Sequence, residues 1–408
     1  MKEELRKNWQ RLWPKAMGGD GVVCPICGYG GKYKNWGTGV DHFLQDPNQY
    51  GLACMGCGFE GDAVELLQKA LAKKKGEDPT EEDLIREGLV LLNRRPINAA
   101  EYLDTFWAAD VAQMQASENV KTGFENLDNV TGGIYPGLYV IAALSSLGKT
   151  TFSLQLADQL AAAGRHVLFF SLEQSQLELV SKSLARIGAQ AQGPKYGLDS
   201  LTIRKGFSDA GTQKALKEYR EKIAERMNII QGDFGYTAGK IRDEITRYIE
   251  ETGSRPVVFV DYLQIIQGGE IRQSVREQVD STITDLKRIS REHDLTVFVI
   301  SSVNRSNYLT PIDFESLKES GAIEFTADVI WGLQYSVLND ELFNQANKIK
   351  EKREAIREAK AADPRQIELV CLKNRYGRDF RCSFEYFPRV DLFRSAEKKK
   401  VQKTVIRM

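Results

Sequence analysis

The chain has 408 residues, 42% hydrophobic and 27% charged, and its 56 Lys and Arg are balanced by 56 Asp and Glu. This composition is ordinary for a globular protein with one large domain and one or two small ones, and it excludes a globally basic nucleic-acid binder. There is no run of about 20 apolar residues and no apolar signal-peptide region, so we expect a cytoplasmic protein without membrane contact.

Four of the six cysteines form two pairs near the N-terminus, Cys24-Pro-Ile-Cys27 and Cys54-Met-Gly-Cys57. In a chain without a secretory signal, two such knuckles favour tetrahedral Zn²⁺ over disulfides or free thiols. A glycine follows each pair, where a tight turn needs a residue without Cβ. The pattern predicts a zinc-ribbon domain at residues 1–72, although the 26-residue gap exceeds the usual spacing of about 15–20. His42 is a weaker alternative ligand.

The charged, helix-prone residues 73–120 are interpreted as a linker with a docking helix around Ala99–Gln115. From residue 121 to 390, apolar runs alternate with helical patterns, which predicts an α/β domain with a mainly parallel sheet. A Lys-, Arg- and Glu-rich segment at 339–365 predicts a solvated helix, and residues 391–408 predict a mobile basic tail. The expected strands are Leu138–Ala142, Val167–Ser171, Asn228–Gln231, Val257–Asp261, Val297–Ser301, Val329–Leu333 and Glu368–Leu372.

The first of these strands leads into ALSSLGKT and then into a helix-compatible segment. A strand, a small-residue loop and Gly-Lys-Thr at a helix start form the context of a Walker A phosphate-binding loop, although Ala143 replaces its first glycine. Lys149 would reach the β- and γ-phosphates of ATP, and Thr150 would ligate Mg²⁺. The helix start and the loop N–H groups would cradle the phosphates. The residues expected to bind the nucleotide are Ser145, Ser146, Leu147, Gly148, Lys149, Thr150 and Thr151.

Two acids end later strands of the same sheet. Asp261 follows four apolar residues and is the Walker B candidate that orders magnesium; the alternative is a strand-end turn former. Glu173 follows HVLFFSL and is the candidate general base that activates water. A glutamate favoured by a helix dipole is the other interpretation of Glu173.

Together these residues resemble the DnaB-type replicative helicases, a hexameric RecA-fold family, over about Lys121–Pro388. That family tends to have alanine at the first Walker A position, so Ala143 fits the resemblance. FSLEQS resembles the strand that carries the family's catalytic glutamate, and VDYLQII resembles its Walker B strand. The resemblance implies a RecA-like ATPase that acts as a DNA helicase.

Two further segments of this resemblance concern DNA. SSVNRSNY is similar to the family's S-Q-x-N-R segment, but Ser302 replaces the glutamine that senses the γ-phosphate and is too short to span the same distance. KESGAIEFTADVIW resembles the loop that lines the central channel and touches single-stranded DNA. The resemblance implies DNA contacts for Arg305, Lys318, Glu319 and Gly321.

LKNRYG resembles the family's Lys-x-Arg-x-Gly motif, which reaches into the ATP site of the neighbouring subunit. Lys373 and Arg375 would then be trans-acting catalytic fingers, which implies a homo-hexameric ring. Taken alone, the motif is a basic turn after a strand. RadA-type recombination ATPases carry a similar motif, so the alternative function is a non-unwinding DNA-binding ATPase, either a recombination mediator or a helicase loader.

The cysteine segment itself resembles the zinc ribbon of bacterial and phage primases, including the Gly-Asp-Ala run that starts a helix. The aromatic residues between the pairs either form the small core of the ribbon or stack on bases. A primase or a loader is the expected protein partner. The aromatic residues are Tyr29, Tyr33, Trp36, Phe43 and Tyr50, and two neighbouring lysines, Lys32 and Lys34, could contact phosphates.

Overall fold

The structure, a computed structural model, describes residues 1–17, 21–31, 39–46, 49–92, 99–105, 107–117, 120–144, 146–232, 235–266, 274–303, 308–317, 321–340, 343 and 349–396. The chain divides into two compact units, Met1–Gln113 and Met114–Met408. Within the described ranges, no helix is long and apolar enough to cross a membrane.

The N-terminal unit packs helices against an antiparallel sheet of order β1-β2-β3. Leu5, Trp9 and Leu12 recur at helical spacing on α1 and are buried against the sheet and its neighbouring helices. Helix α2 begins at a capping box formed by Asp62 and Glu65. The elements are α1 Lys2–Leu12, β1 Val40–Asp46, β2 Gln49–Cys54, β3 Phe59–Gly61, α2 Ala63–Lys75, α3 Glu81–Leu92, α4 Ala99–Thr105 and α5 Trp107–Ser117.

The domain boundary expected at residue 72 falls inside α2, so that prediction is corrected. Helix α3, expected to belong to a linker, buries Leu84 and Leu91 in the same core as α1. The docking helix expected around Ala99–Gln115 is helical on both sides of residue 106, in α4 and α5, and residue 106 itself lies outside the described residues. The sequence suggested a linker because residues 73–83 are mostly charged. The buried apolar residues of α3 begin only at Leu84, after this charged run.

The large unit is built on a nine-stranded sheet of order β12-β11-β10-β9-β4-β8-β7-β5-β6. Six strands, from β9 to β6, are parallel, and β10 to β12 extend one edge in antiparallel order. Every position of β4, β5, β7 and β9 is buried, as expected for strands covered by helices on both faces. The mainly parallel α/β fold is therefore confirmed. The strands are β4 Gly137–Ala143, β5 Val167–Ser171, β6 Met227–Gln231, β7 Val257–Asp261, β8 Thr296–Ser302, β9 Val329–Tyr335, β10 Arg365–Asn374, β11 Arg381–Phe387 and β12 Leu392–Ser395.

The described helices of this unit surround the sheet, and α7 has ten buried residues. Helix α14, in the segment expected to be solvated, buries none of its residues. Ile356 and Ala359 pack against the core only as partly buried side chains, and β10 runs antiparallel to β9, so this helix is not a parallel crossover. The helices are α6 Glu125–Thr131, α7 Lys149–Ala162, α8 Gln176–Gln192, α9 Ser200–Arg204, α10 Ala210–Lys222, α11 Ala238–Thr252, α12 Val275–His293, α13 Gly321–Thr326 and α14 Ile349–Ala361.

Strand β12 corrects the expected tail at residues 391–408. Leu392–Ser395 pairs with β11, and Phe393 is buried against the helix that follows the phosphate loop. The ATPase unit therefore extends past residue 390. Four residues are too few to produce a readable alternation in the sequence, which is why this strand was assigned to the tail.

Candidate functional site

Four neighbouring parallel strands end at one edge of the sheet and bring the predicted site residues together. Strand β4 leads into the phosphate loop, β5 into Glu173, β7 ends at Asp261 and β8 ends at Ser302. The register places Ala143 opposite Ser302 and Ser171 opposite Asp261. This is the edge at which open parallel sheets bind ligands.

The phosphate loop has the backbone that anion binding requires. Ser146 and Gly148 adopt left-handed φ values of 68° and 84°, and Gly148 immediately precedes α7. A Cβ on Gly148 would lie 2.8 Å from Tyr386 Cζ, so the loop can pass this ring only with glycine there. Such turns direct successive N–H groups into one concavity beside the positive end of the helix. Ser145 lies outside the described residues.

Lys149 and Thr150, at the start of α7, face the ends of β7 and β8. Thr150 Oγ1 donates a hydrogen bond to Asp261 Oδ2 at 2.7 Å, and Lys149 Nζ donates one to Ser302 Oγ at 2.8 Å. Lys149 Nζ also lies 6.0 Å from the centre of the Tyr262 ring. A hydroxyl and a carboxylate in direct contact form the kind of oxygen donor set that Mg²⁺ prefers.

Asp261 is 1% exposed, and burial raises its pKa from 3.8 to about 6, with a further contribution from the nearby charge of Glu173. Glu173 itself is exposed at the mouth of the site. Its charge also contributes to the raised pKa of Tyr262, for which burial is the largest cause. The structure therefore places a solvent-accessible carboxylate beside the buried one.

This pKa predicts how stability depends on pH in protein free of nucleotide and magnesium. Between pH 3.8 and about 6 the folded chain retains a proton on Asp261 that the unfolded chain has released, so the free energy of unfolding falls as pH rises. In the Asp261→Asn variant this pH-dependent loss of stability is absent, because asparagine does not ionise. Its side-chain oxygen still accepts the hydrogen bond from Thr150. We expect the variant to be more stable than the wild type by up to about 3 kcal/mol above pH 6, with no gain below pH 4. Urea titrations across this range measure it, and a pH-independent difference would contradict it.

Two of the residues expected to bind the nucleotide, Leu147 and Thr151, have side chains that stabilise the fold instead of facing the site. The Leu147 side chain is fully buried. The Thr151 hydroxyl donates to Asp391 Oδ1 at 3.0 Å, and Lys182 Nζ donates to the same oxygen at 2.8 Å. If Leu147 and Thr151 bind nucleotide, they would do so through backbone N–H groups.

Arg365, at the start of β10, was not anticipated as a neighbour of the site. Its Nη1 donates to the carbonyl of Ser146 at 3.0 Å, and its guanidinium lies 5.8 Å from the centre of the Tyr386 ring. The antiparallel edge strands thus contact the phosphate loop from the side. No local sequence signal could reveal this, because the contact joins residues 219 positions apart.

Lys373 and Arg375 lie at the opposite end of the sheet from the site of their own chain. Asn374 pairs with Val329, which in turn pairs with Tyr139 near the start of β4. Since a strand rises about 3.3 Å per residue, most of the length of β4, on the order of 15 Å, separates them from the phosphate loop. The structure does not bring these two residues to the site of their own chain.

Within the chain, both basic residues contact the end of α13. Lys373 Nζ donates to the carbonyl of Glu324 at 2.5 Å, and burial lowers its pKa. Arg375 donates to the Asp328 carboxylate at 3.2 Å and to the carbonyl of Phe325 at 3.3 Å. These contacts orient both side chains at one face of the unit.

The residues expected to contact DNA can be placed only in part. Gly321 is the first residue of α13, whereas Arg305, Lys318 and Glu319 lie outside the described residues. An isolated bridge pairs Val303 with Leu317. The two segments that contain these residues therefore both leave from the end of β8.

The four N-terminal cysteines form one cluster. Their sulfur atoms all lie within 4.8 Å of one another, with Cys24–Cys57 at 3.8 Å and Cys27–Cys54 at 3.7 Å. Four sulfurs arranged tetrahedrally at about 2.3 Å from zinc would be about 3.8 Å apart, so the cluster fits that metal. Burial raises the pKa of Cys24 and of Cys54, so without a metal these thiols hold their protons.

The sequence of the large unit was compared with known families and proteins. The DnaB-like helicase C terminal domain family matches residues 119–395. The replicative DNA helicase DnaB of Leifsonia xyli subsp. xyli (strain CTCB07) is 29% identical over 285 residues, which cover 68% of this chain and 58% of that protein. Its counterpart from Haemophilus influenzae (strain ATCC 51907 / DSM 11121 / KW20 / Rd) is 30% identical over 241 residues, 57% of this chain and 48% of that protein. The chain thus spans about half the length of these relatives.

Solved structures support the same fold. A solved ATPase domain matches with a TM-score of 0.59 and 22% identity over 74% of this chain and 100% of that chain. The structure of a DnaB-like replicative helicase and its interactions with primase matches with a TM-score of 0.58 and 20% identity, over 82% of this chain and 75% of that chain. The RecA-like architecture expected from the sequence is confirmed. Since the family match covers well over half of its residues, this chain belongs to the DnaB-like helicase C-terminal domain family.

Proposed function

We propose that this protein is an ATP-dependent DNA helicase of the DnaB type, which moves along single-stranded DNA as a homo-hexamer and hydrolyses ATP between subunits. The observation that carries the proposal is the arrangement at the sheet edge: Lys149, Thr150, Asp261 and Glu173 meet there in a domain of this family. Family membership supports the reaction class, and the geometry supports the residue roles proposed below.

Each residue at this edge has a distinct proposed role. Lys149 binds the β- and γ-phosphates, and the loop N–H groups hold the remaining phosphate oxygens. Thr150 and Asp261 would hold Mg²⁺, which supplies neutralisation of charge on the phosphate oxygens when bound. Asp261 must then be ionised, and a cation beside it would favour that form. Glu173, exposed to solvent, orients a water molecule and accepts its proton.

Lys373 and Arg375 are proposed to complete the ATP site of the neighbouring subunit. Their position at the opposite end of the sheet supports a role in trans, because in their own chain they lie far from the phosphate loop. Their contacts with α13 fix the direction in which they project. Arg305, Lys318, Glu319 and Gly321 are proposed to bind single-stranded DNA from segments that follow β8.

A forked DNA substrate tests this function. We expect ATP-dependent displacement of the paired strand by the wild type and none by Lys149→Ala. ATP hydrolysis stimulated by single-stranded DNA without displacement would instead indicate the non-unwinding ATPase, a mediator or loader. Absence of nucleotide hydrolysis with and without DNA would refute both functions.

The cysteine cluster is proposed to bind one structural Zn²⁺ through Cys24, Cys27, Cys54 and Cys57. Four thiolates leave the ion no open position, so the role is to stabilise the N-terminal unit rather than to catalyse. The resemblance to primase ribbons and the solved helicase described with its interactions with primase lead us to propose a primase or a loader as partner.

Elemental analysis tests the zinc proposal. We expect one zinc per chain in the wild type and much less in Cys54→Ser, together with loss of the thermal transition of the N-terminal unit, since such sites contribute folding free energy directly. Cys382→Ser, at a buried cysteine of the large unit, is the matched control and should retain the metal. Equal zinc content in both variants would contradict the assignment.

A further inference from the structure

Ser302 stands where the resembled family has its phosphate-sensing glutamine, and its short side chain has a different partner from the one expected. Its hydroxyl accepts a hydrogen bond from Lys149 Nζ at 2.8 Å. Ser302 lies opposite Ala143, where β4 ends and the phosphate loop begins. The expectation that serine is too short for this position considered only the phosphate. The longer side chain of Lys149 extends from the start of α7 to the Ser302 hydroxyl.

A second side chain holds the same end of β8. Gln264 lies three residues after Asp261, in the short 3₁₀ turn Leu263–Ile265. Its Nε2 donates to Ser301 Oγ at 2.9 Å, and its Oε1 accepts from the backbone N–H of Ser302 at 3.4 Å. A glutamine side chain is therefore present next to Ser302, but it belongs to the turn that follows Asp261, and its amide bonds to β8.

The residue after Ser302 connects this point to the segments proposed to bind DNA. Val303 donates its N–H to the carbonyl of Ala143 at 3.3 Å and pairs with Leu317. Residues 304–307 follow directly after Val303, and residues 318–320 follow directly after Leu317. The described residues that precede the two segments are therefore paired with each other, next to the end of β8.

We propose that Ser302 is a positioning residue that holds Lys149 on the end of β8 when no nucleotide is bound, and that β8 loses this one bond when ATP takes the lysine. This inference rests on the proposed function. The phosphates carry negative charge that attracts the ammonium, whereas the Ser302 hydroxyl is neutral, so the phosphates win the competition for Lys149. Gln264 keeps the end of β8 attached to the turn after Asp261 in both states. Nucleotide binding and the DNA segments are then coupled without a phosphate-sensing glutamine.

The competition between Ser302 and phosphate for Lys149 predicts the direction in which nucleotide affinity changes. Because the Lys149–Ser302 bond must break before the lysine can bind phosphate, it opposes nucleotide binding. We expect Ser302→Ala to bind a fluorescent non-hydrolysable ATP analogue roughly 2- to 10-fold more tightly than the wild type. We also expect the stimulation of its ATPase by a poly-dT oligonucleotide to fall to near the DNA-free rate. Ser302→Thr, which keeps the hydroxyl in a strand position, should behave as the wild type in both measurements.

A second variant separates the effect on nucleotide affinity from the effect on stimulation by DNA. Gln264→Leu removes both bonds from Gln264 to β8 and leaves Lys149 on Ser302. We expect its analogue affinity to stay within about twofold of the wild type, while stimulation by poly-dT is lost. Loss of affinity together with stimulation would show that Gln264 merely supports the site, and would overturn the proposal.

Unchanged or weaker analogue binding by Ser302→Ala would also overturn it, as would full stimulation of that variant by poly-dT. The failure of the proposed function has a different signature, because the wild type itself would then show no stimulation by DNA. Analogue binding by Ser302→Ala tests the competition in either case. Near-ultraviolet circular dichroism of each variant checks that the fold is intact.

Discussion

Lys149→Ala is expected to lower ATP hydrolysis by about 10²- to 10³-fold, the cost typical of removing one group that stabilises transition-state charge. Lys149 is the cation at the start of α7, and its ammonium lies between the ends of β7 and β8. Without it, the negative charge that develops on the transferred phosphoryl group loses the cation proposed to bind it. Steady-state phosphate release in the presence of poly-dT measures the effect.

Lys217→Ala provides the matched control for the loss of a positive charge. The Lys217 side chain on α10 is 74% exposed and forms a long i,i+4 pair with Glu221. Exposed pairs of this kind contribute little, so we expect a wild-type rate. Loss of the hydrogen bond from Lys149 to Ser302 should itself cost about 1 kcal/mol of stability. Substantial hydrolysis by folded Lys149→Ala would remove the phosphate-loop assignment.

Arg375→Ala is expected to retain ATP binding and to lose hydrolysis by about 10³-fold or more, as arginine fingers do where they have been measured. Arg375 lies at the opposite end of the sheet from its own phosphate loop, and in the proposed ring the nucleotide next to it is bound mainly by the phosphate loop of the neighbouring subunit. The expected result is therefore a lowered turnover number with little change in the dissociation constant of ATP. Comparing analogue binding with hydrolysis separates the two.

Mixing two inactive variants makes this test specific for action in trans. In a mixed ring, the phosphate loop of an Arg375→Ala subunit can face the intact finger of a Lys149→Ala subunit. Sites of this kind should be active, so the mixture should recover part of the wild-type rate while neither variant alone does. No recovery in rings shown to contain both variants would place Arg375 outside the catalytic machinery. Its bonds to Asp328 and Phe325 would then be its whole role.

The sequence was most informative where the physical signal is local. Near-continuous apolar runs marked β5 and β7 at their observed bounds, because strands buried on both faces leave no room for polar residues. The phosphate loop was recognisable because strand, loop and helix start are consecutive. The spacing of the cysteine pairs likewise predicted a cluster that the structure brings together.

Features that depend on distant parts of the chain could not be obtained in this way. The contact of Arg365 with Ser146 exists only because β10 runs antiparallel along the sheet edge. The contact between Lys149 and Ser302 could not be predicted for a related reason: the length of the serine side chain indicates its own reach, but not that a lysine from another element extends toward it. Strand β12 is too short to show a period, and only its pairing with β11 reveals it.

Strand β10 has one further consequence. Arg365 at its first residue contacts the phosphate loop of its own chain, and Lys373 and Arg375 lie at its far end. In the proposed ring, this single strand would touch one ATP site and extend to the next, so each site would be joined to its neighbour by a continuous hydrogen-bonded element about 30 Å long. A substitution that displaces this strand would therefore be expected to affect two neighbouring ATP sites at once.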